Sequence, residues 1–320
     1  GLALEFIDTL VPHSTVARYP YEEAEVYSKL DKPSQQKLIE VLGDDVINAY
    51  RSGIDAFVKN EVGVKTPRII SDARDFRFII QTSKYTLKFR DDILHNLPQR
   101  GAQFFQPGHT PTQIAQAVQD YCMSIPSGHV VIEGDFSNFD GTVSYWCHDH
   151  IINAAYKRYF GYSEELDRIT KDLIHCKARA KRFNIKYDPG HGVKSGFPTT
   201  CDGNTMLNAF VMFCAVRKST NLTGLDAMRQ VGLAFGDDSL FCSQYRDQWL
   251  HCANELGLTL KVPQTMPENG VSFLSRVYVD PIATLSSFQD PVRAIEKIHI
   301  TTRNKNVPLA DAAVDRCSSC

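Results

Sequence analysis

No stretch of the 320-residue chain approaches the roughly 18 consecutive apolar residues that a membrane-spanning helix needs. No signal peptide or initiator methionine heads it. The chain opens Gly1-Leu2-Ala3, as expected of a piece cut from a longer protein. An excess of charge of one sign is also lacking: 35 Lys and Arg stand against 37 Asp and Glu, a net −2. That excludes a uniformly basic nucleic-acid coat but leaves room for a basic groove on one surface. Repeats and low-complexity tracts are absent, and there is no G-x-x-x-x-G-K-[ST] loop, so the chain is not a P-loop helicase. The nine cysteines are odd in number and irregularly spaced, which argues for reduced thiols rather than a disulfide framework. Cys317 and Cys320 form one terminal C-x-x-C with no second pair, at best half a zinc site. What is present is an ordinary globular balance, 43% hydrophobic and 22% charged, enough for a sizeable core and roughly two domains or one large one.

The first third reads mostly helical. Ser34 can cap a helix over 35–42, and Thr110-Pro111 starts one over 112–123. Residues 57–71 are rich in β-branched residues and broken by Gly63 and Pro67, suggesting strands or an extended loop. A short apolar strand, Val130-Val131-Ile132, runs to an acidic turn at Asp135, and a helix is expected over 145–160. Residues 177–187 alternate basic and small residues, predicting one strand with a basic face. A Gly-rich turn leads to a helix over 200–218. A hairpin then follows, with strands over 231–235 and 239–242 around Gly236-Asp237-Asp238. A helix over 245–256, a strand over 258–262, a β-rich segment over 272–279 and a helical tail over 290–303 complete the order. It predicts an α+β sheet backed by helices on one face.

The chemistry is expected from carboxylates. Asp135 and Asp140 bracket the end of one predicted strand, and Asp237 and Asp238 sit in a predicted hairpin turn. Two adjacent strands could bring Asp135 and Asp237 to one edge. Hard divalent cations want oxygen ligands and take few carboxylates from protein. Two such ions about 4 Å apart could activate a ribose 3′-hydroxyl and neutralise a leaving pyrophosphate. An Asp alone is more often a turn-former or helix cap. Gly43-Asp44-Asp45 makes the point, since it repeats the tripeptide at a helix end with no flanking strands. Leu233-Ala234-Phe235 and Ser239-Leu240-Phe241 give the second copy its hairpin context. Cys147-His148-Asp149-His150 has metal-ligand types, but consecutive residues on a helix point apart, so packing is the better reading. Asn221-Leu222-Thr223 matches a glycosylation sequon, which carries no meaning in a cytosolic protein.

These residues resemble the viral RNA-directed RNA polymerases of positive-strand RNA viruses, with wording and spacing most like the nodavirus enzymes. Asp135-Phe-Ser-Asn-Phe-Asp140 is similar to their motif A. Ser195-Gly196, Thr200 and Asn204 are similar to motif B, and Gly236-Asp237-Asp238 to motif C. Gly257 to Lys261 resembles the end of motif D, Phe273 to Tyr278 motif E, and Lys59-Asn-Glu61 with Lys65 and Arg68 motif F. Any one of the six is weak, but six in the family's order over residues 59–279 are specific.

The resemblance implies roles. Asp135 and Asp237 would hold two Mg²⁺ (or Mn²⁺) ions, with Asp238 a secondary ligand, an electrostatic support or a turn residue only. Asp140 and Asn204, with Thr200, would sense the 2′-hydroxyl of the incoming ribonucleotide, because a deoxyribose would leave buried polar groups unpaired. Ser195-Gly196 would form a loop that moves with translocation, or an ordinary turn before a helix. Lys59, Lys65 and Arg68 would grip the triphosphate, with Glu61 holding one of them; a lone basic residue is usually a solvated charge, but three lie within ten residues. Lys261 would protonate the departing pyrophosphate. Lys177, Arg179, Lys181, Arg182 and Lys186, the densest basic run, would face template or nascent RNA, or else form a solvated edge. Arg276 and Tyr278 would press on the primer strand, although Tyr278 could equally be core.

The expected architecture is therefore a right-hand polymerase core. Residues 1–128 and the insertion 161–194 are read as fingers, 129–160 and 195–280 as palm, and 281–320 as a partial thumb or C-terminal helix. The expected reaction is template-directed ribonucleotidyl transfer in viral genome replication. Its partners would be template and nascent RNA, ribonucleoside triphosphates and other domains of a larger replicase. Its setting would be the host-cell cytoplasm, in a membrane-associated complex reached through other regions. Two rivals remain: a reverse transcriptase, against which the Asp140–Asn204 pair argues, and a palm-like RNA-binding scaffold, against which the full set of carboxylates argues.

Overall fold

The structure is a computed structural model that describes residues 1–13, 18–30, 32–42, 49–59, 68–263, 270–297 and 307–318. Its eleven described strands are β1 (Ile54–Val58), β2 (Ile69–Ala73), β3 (Val131–Phe136), β4 (Ala178–Ala180), β5 (Ile185–Tyr187), β6 (Leu233–Phe235), β7 (Asp238–Cys242), β8 (Leu260–Lys261), β9 (Val271–Phe273), β10 (Arg276–Tyr278) and β11 (Phe288–Gln289). They form three sheets, in the orders β2-β1-β4-β5, β6-β7-β3-β8 and β11-β10-β9. The second sheet is antiparallel throughout and carries the predicted carboxylates.

The core is organised by one helix, Thr200–Ser219, whose residues Asp202 to Val216 are all buried. A helix buried on every side over about four turns lies at the centre of the fold, and sheet and helices wrap it. Phe210 and Phe213 meet Phe6 edge to face at 5.3 and 5.5 Å, tying the N-terminal helix Leu2–Leu10 to it. The helix Arg246–Glu255 packs Trp249 against β3 at Gly134. A Cβ on Gly134 would lie 2.2 Å from the Trp249 ring and 2.8 Å from Ser239 Oγ, so only glycine lets these layers close. Local signals hold where they are strong. The helix Pro111–Ser124 starts at a capping box in which Thr110 and Gln113 satisfy each other's backbone N–H groups.

Two expectations change. The strand predicted over 177–187 is a hairpin, β4 and β5 separated by a 3-10 turn at Lys181–Phe183 and Asn184 at φ 52°. Asn tolerates the left-handed conformation and so reverses a chain that periodicity alone reads as continuous. The helix predicted over 145–160 carries a π-helical stretch, His148–Asn153, between its α-helical ends. The first Gly-Asp-Asp, at residues 43–45, lies outside the described residues.

Candidate active site

The β6–β7 hairpin closes on the Phe235↔Asp238 pair, leaving Gly236-Asp237 as a two-residue turn. Gly236 takes φ 61°, which a tight hairpin requires and which a side chain would strain. β3 lies between β7 and β8, with Gly134 opposite Ser239 and Asp135 opposite Lys261. Asp135 and Asp238 are the next residues beyond that Gly134–Ser239 pair. Asp135, Asp140, Asp237 and Asp238 thus line one cleft of about 1690 Å³, together with Arg68, Ser195, Gly196, Thr200 and Asn204. That exceeds the roughly 300–1000 Å³ of a small-molecule pocket and suits a polymeric ligand.

The carboxylates feel each other. The protein packed around the Asp237 carboxyl lifts its pKa above the usual carboxylate value, although the residue opens to the cleft. Asp135 and Asp140 add to the rise, while its own backbone N–H and Arg68 oppose it. This is unrelieved negative charge of the kind a cation neutralises. Among the described residues no three His, Cys, Asp or Glu side chains come together as a metal site. Hard divalent ions need only one or two protein carboxylates and complete their shell with water and phosphate, and Asp135 and Asp237 are carboxylates of this kind on the cleft.

Asp140 is held from the core helix. Asn204 Nδ2 donates to its Oδ1 at 2.6 Å and Ser195 Oγ to its Oδ2 at 3.1 Å, while Asn204 Oδ1 is buried without a partner. Thr200 turns its hydroxyl onto the Lys194 carbonyl at 2.7 Å. Gly196 is demanded by the protein itself: a Cβ there would stand 2.4 Å from the Ser71 carbonyl oxygen of β2.

The basic residues divide. Arg68 lines the cleft, and Lys59 continues the β1–β2 ladder through its backbone N–H to the Arg68 carbonyl at 2.8 Å. Lys65 and Glu61 lie outside the described residues. Lys261 is exposed beside Asp135. Lys177 pairs with Asp188 at 2.7 Å, Arg179 makes a two-pronged contact with Asp55, and Lys181, Arg182 and Lys186 are exposed. Arg276 gives Nε and Nη2 to Ser287, both at 2.8 Å, and Tyr278 is core at 1% exposure. Tyr278 thus sits where its alternative reading, core, placed it.

Several residues escaped sequence reasoning. Lys194, 3% exposed, gives its ammonium to the carbonyls of Ile174, Gly190 and Gly192, and burial lowers its pKa. It braces the loop that presents Ser195. Arg90 forks onto Asp202, wholly buried, at 2.8 to 3.1 Å. Asn208 and Thr205 bond the Gly236–Asp238 turn. Asn208 had one readable signal: it lies four residues after Asn204, on the same face of the helix. The seven cysteines described by side chain are all free thiols, and Cys317 and Cys320 lie outside that set.

A family model described as viral RNA-dependent RNA polymerase matches residues 99–298. The RNA-directed RNA polymerase of Nodamura virus (strain Mag115) is 47% identical over 317 residues, covering 98% of this chain and 30% of the relative. That of Macrobrachium rosenbergii nodavirus is 46% identical over 319 residues, 99% of this chain and 30% of the relative. That of Flock house virus is 40% identical over 300 residues, 93% and 30%. The chain thus spans about 30% of the length of these relatives. The solved RNA-dependent RNA polymerase of a human picorbirnavirus shares the fold at a TM-score of 0.72 and 14% identity, over 98% of this chain and 65% of that one.

Proposed function

Since the chain belongs to the viral RNA-dependent RNA polymerase family, we propose that it forms the catalytic core of a nodavirus-type replicase and transfers ribonucleotides under the direction of an RNA template. The observation that carries this reading is the meeting, in one cleft, of Asp135 from β3 and Asp237 from the β6–β7 turn with an Asp140 fixed by Asn204.

Asp135 and Asp237 would hold two divalent ions, Mg²⁺ or Mn²⁺, with Asp238 in support. When bound, these ions supply activation of the 3′-hydroxyl and neutralisation of the leaving pyrophosphate. The rest falls to the chain's own side chains. The ribose 2′-hydroxyl donates to Asp140 and accepts from the second N–H of Asn204; a deoxyribose leaves both short of a partner. Ser195, Gly196 and Thr200 form the loop wall that keeps Asp140 in place. Arg68, Lys59 and Lys65 take the triphosphate. Lys261, opposite Asp135, gives a proton to the pyrophosphate. Lys181, Arg182 and Lys186, with Lys177 and Arg179 once released from their carboxylates, meet RNA phosphates; Arg276 reaches RNA only by leaving Ser287. In this reading residues 1–128 and 161–194 act as fingers, 129–160 and 195–280 as palm, and 281–320 as part of a thumb. Template RNA, nascent RNA and the remaining domains of a longer replicase are its partners, and the host cytoplasm its setting. No described helix is long and apolar enough to cross a membrane.

The test is nucleotide incorporation on a primed RNA template with Mg²⁺. Wild type should extend with ribonucleotides and poorly with deoxyribonucleotides, and Asp237→Ala should lose at least about 10³-fold in rate. Equal use of deoxyribonucleotides would favour a reverse transcriptase. RNA binding without extension, in a chain that includes the remaining domains, would favour a scaffold.

A further inference from the structure

The side chain of Asn208 is wholly buried, at 0% exposure, on a helix otherwise nearly apolar at this level. Its Nδ2 faces three carbonyl oxygens in a row, those of Gly236 at 3.1 Å, Asp237 at 3.3 Å and Asp238 at 3.4 Å. Two hydrogens shared among three acceptors make a multicentre cradle. The reverse orientation of the amide would press its oxygen against all three carbonyls, so the contacts fix which way it points. Its own Oδ1 is buried and unpartnered. An unpaired buried oxygen is costly, and an apolar side chain would avoid that cost. What an apolar side chain cannot do is give hydrogens to the turn.

The turn needs them. The carbonyls of a two-residue hairpin turn ordinarily point into water, whereas here they point back into the core helix. Thr205 completes the clamp: its Oγ1 accepts the Gly236 N–H at 2.8 Å and donates to the Cys201 carbonyl at 2.7 Å. Both sides of the turn's backbone are thus held by one helix. The Asp237 side chain springs from this two-residue turn, so where its carboxylate stands follows the turn's backbone. One helical turn earlier, Asn204 holds Asp140. A single rigid element carries both sets of carboxylates in register.

We propose that Asn208 is a positioning residue for nucleotidyl transfer: its amide fixes the Gly236–Asp238 turn, and through it the aim of the Asp237 carboxylate, while Asn204 serves the sugar. This rests on the polymerase reading above. It assigns the two asparagines separable tasks, and the separation is what a general packing role would not produce.

The experiment compares wild type with Asn208→Ala, Asn208→Asp, Asn204→Ala and Asp237→Ala. The isosteric Asn208→Asp keeps the volume and removes the donor; Asn208→Ala removes both without burying a charge. Mn²⁺ binding is followed by electron paramagnetic resonance without nucleotide, well below each variant's melting temperature, beside steady-state incorporation. Both Asn208 variants should bind Mn²⁺ about tenfold more weakly and lose about tenfold or more in kcat. Their KM for ribonucleotide and their ribose-to-deoxyribose preference should stay near wild type. Asn204→Ala should instead raise KM for ribonucleotide and erode the ribose-to-deoxyribose preference. Wild-type Mn²⁺ affinity and kcat in both Asn208 variants would overturn the proposal and leave the polymerase reading standing. So would KM, sugar preference and kcat shifting together. A wild type that binds Mn²⁺ no better than Asp237→Ala would overturn the metal reading of the turn itself, and the proposal with it.

Discussion

The helix Thr200–Ser219 and the basic hairpin β4–β5 use polar residues in opposite ways. On the helix, every residue from Asp202 to Val216 is buried, and its polar groups meet fixed partners: Asp202 with Arg90, Asn204 with Asp140, Asn208 with the hairpin turn. On the hairpin, all three residues of β5 are exposed, and Lys177 meets Asp188 with both side chains mostly in water. Exposed pairs contribute little and exchange readily, whereas a buried pair is costly to break. The helix therefore suits groups that must be held to fractions of an ångström. The hairpin leaves charges that can exchange partners, as the RNA contact proposed for it requires.

Breaking a pair on the buried side should have the largest effect. Arg90→Met leaves the wholly buried Asp202 carboxyl without its guanidinium partner, and should cost about 3–5 kcal/mol in urea unfolding. The double change Arg90→Met with Asp202→Leu should recover much of that, because the damage lies in the stranded charge.

Asp237 sharpens the contrast, since it belongs to the held group yet faces the cleft. Its pKa is raised in the folded protein. Its contribution to stability is therefore full below the ordinary carboxylate range and is lost as pH rises through the raised value. At neutral pH and without divalent ions, Asp237→Asn should be at least as stable as wild type, and the difference should vanish below the carboxylate range. Adding Mg²⁺ should stabilise wild type but not the variant. Urea titrations at two pH values, with and without the ion, read all of this.

The smallest effect on stability should come from the hairpin. Replacing Lys181, Arg182 and Lys186 together with Ala should change unfolding by less than about 0.5 kcal/mol. RNA binding should weaken, and the slope of log affinity against log salt should fall by about 0.7 for each lost phosphate contact. An unchanged slope would remove the hairpin from the RNA path.

The amino-acid sequence by itself determined the α+β order of elements and the carboxylates within it. Strand and helix periods are local, and so are turn and cap chemistry, which is why the hairpin around Gly236-Asp237-Asp238, the helix begun at Thr110 and the long helix near Thr200 are readable from neighbours in the chain. Where a local rule was silent about a turn, as at Asn184, the reading failed. Partner choice belonged to the tertiary structure. Arg90 and Asp202 lie 112 residues apart, and Arg179 and Asp55 lie 124 apart. No periodicity connects such residues; only packing decides which cation is spent inside the protein and which faces the cleft. The same holds for Lys194 under its three carbonyls, for Tyr278 in the core and for Asn208 beneath the turn. Each is an ordinary residue for its local sequence, and it acquires a task only because folding removes water and leaves one neighbour to answer it.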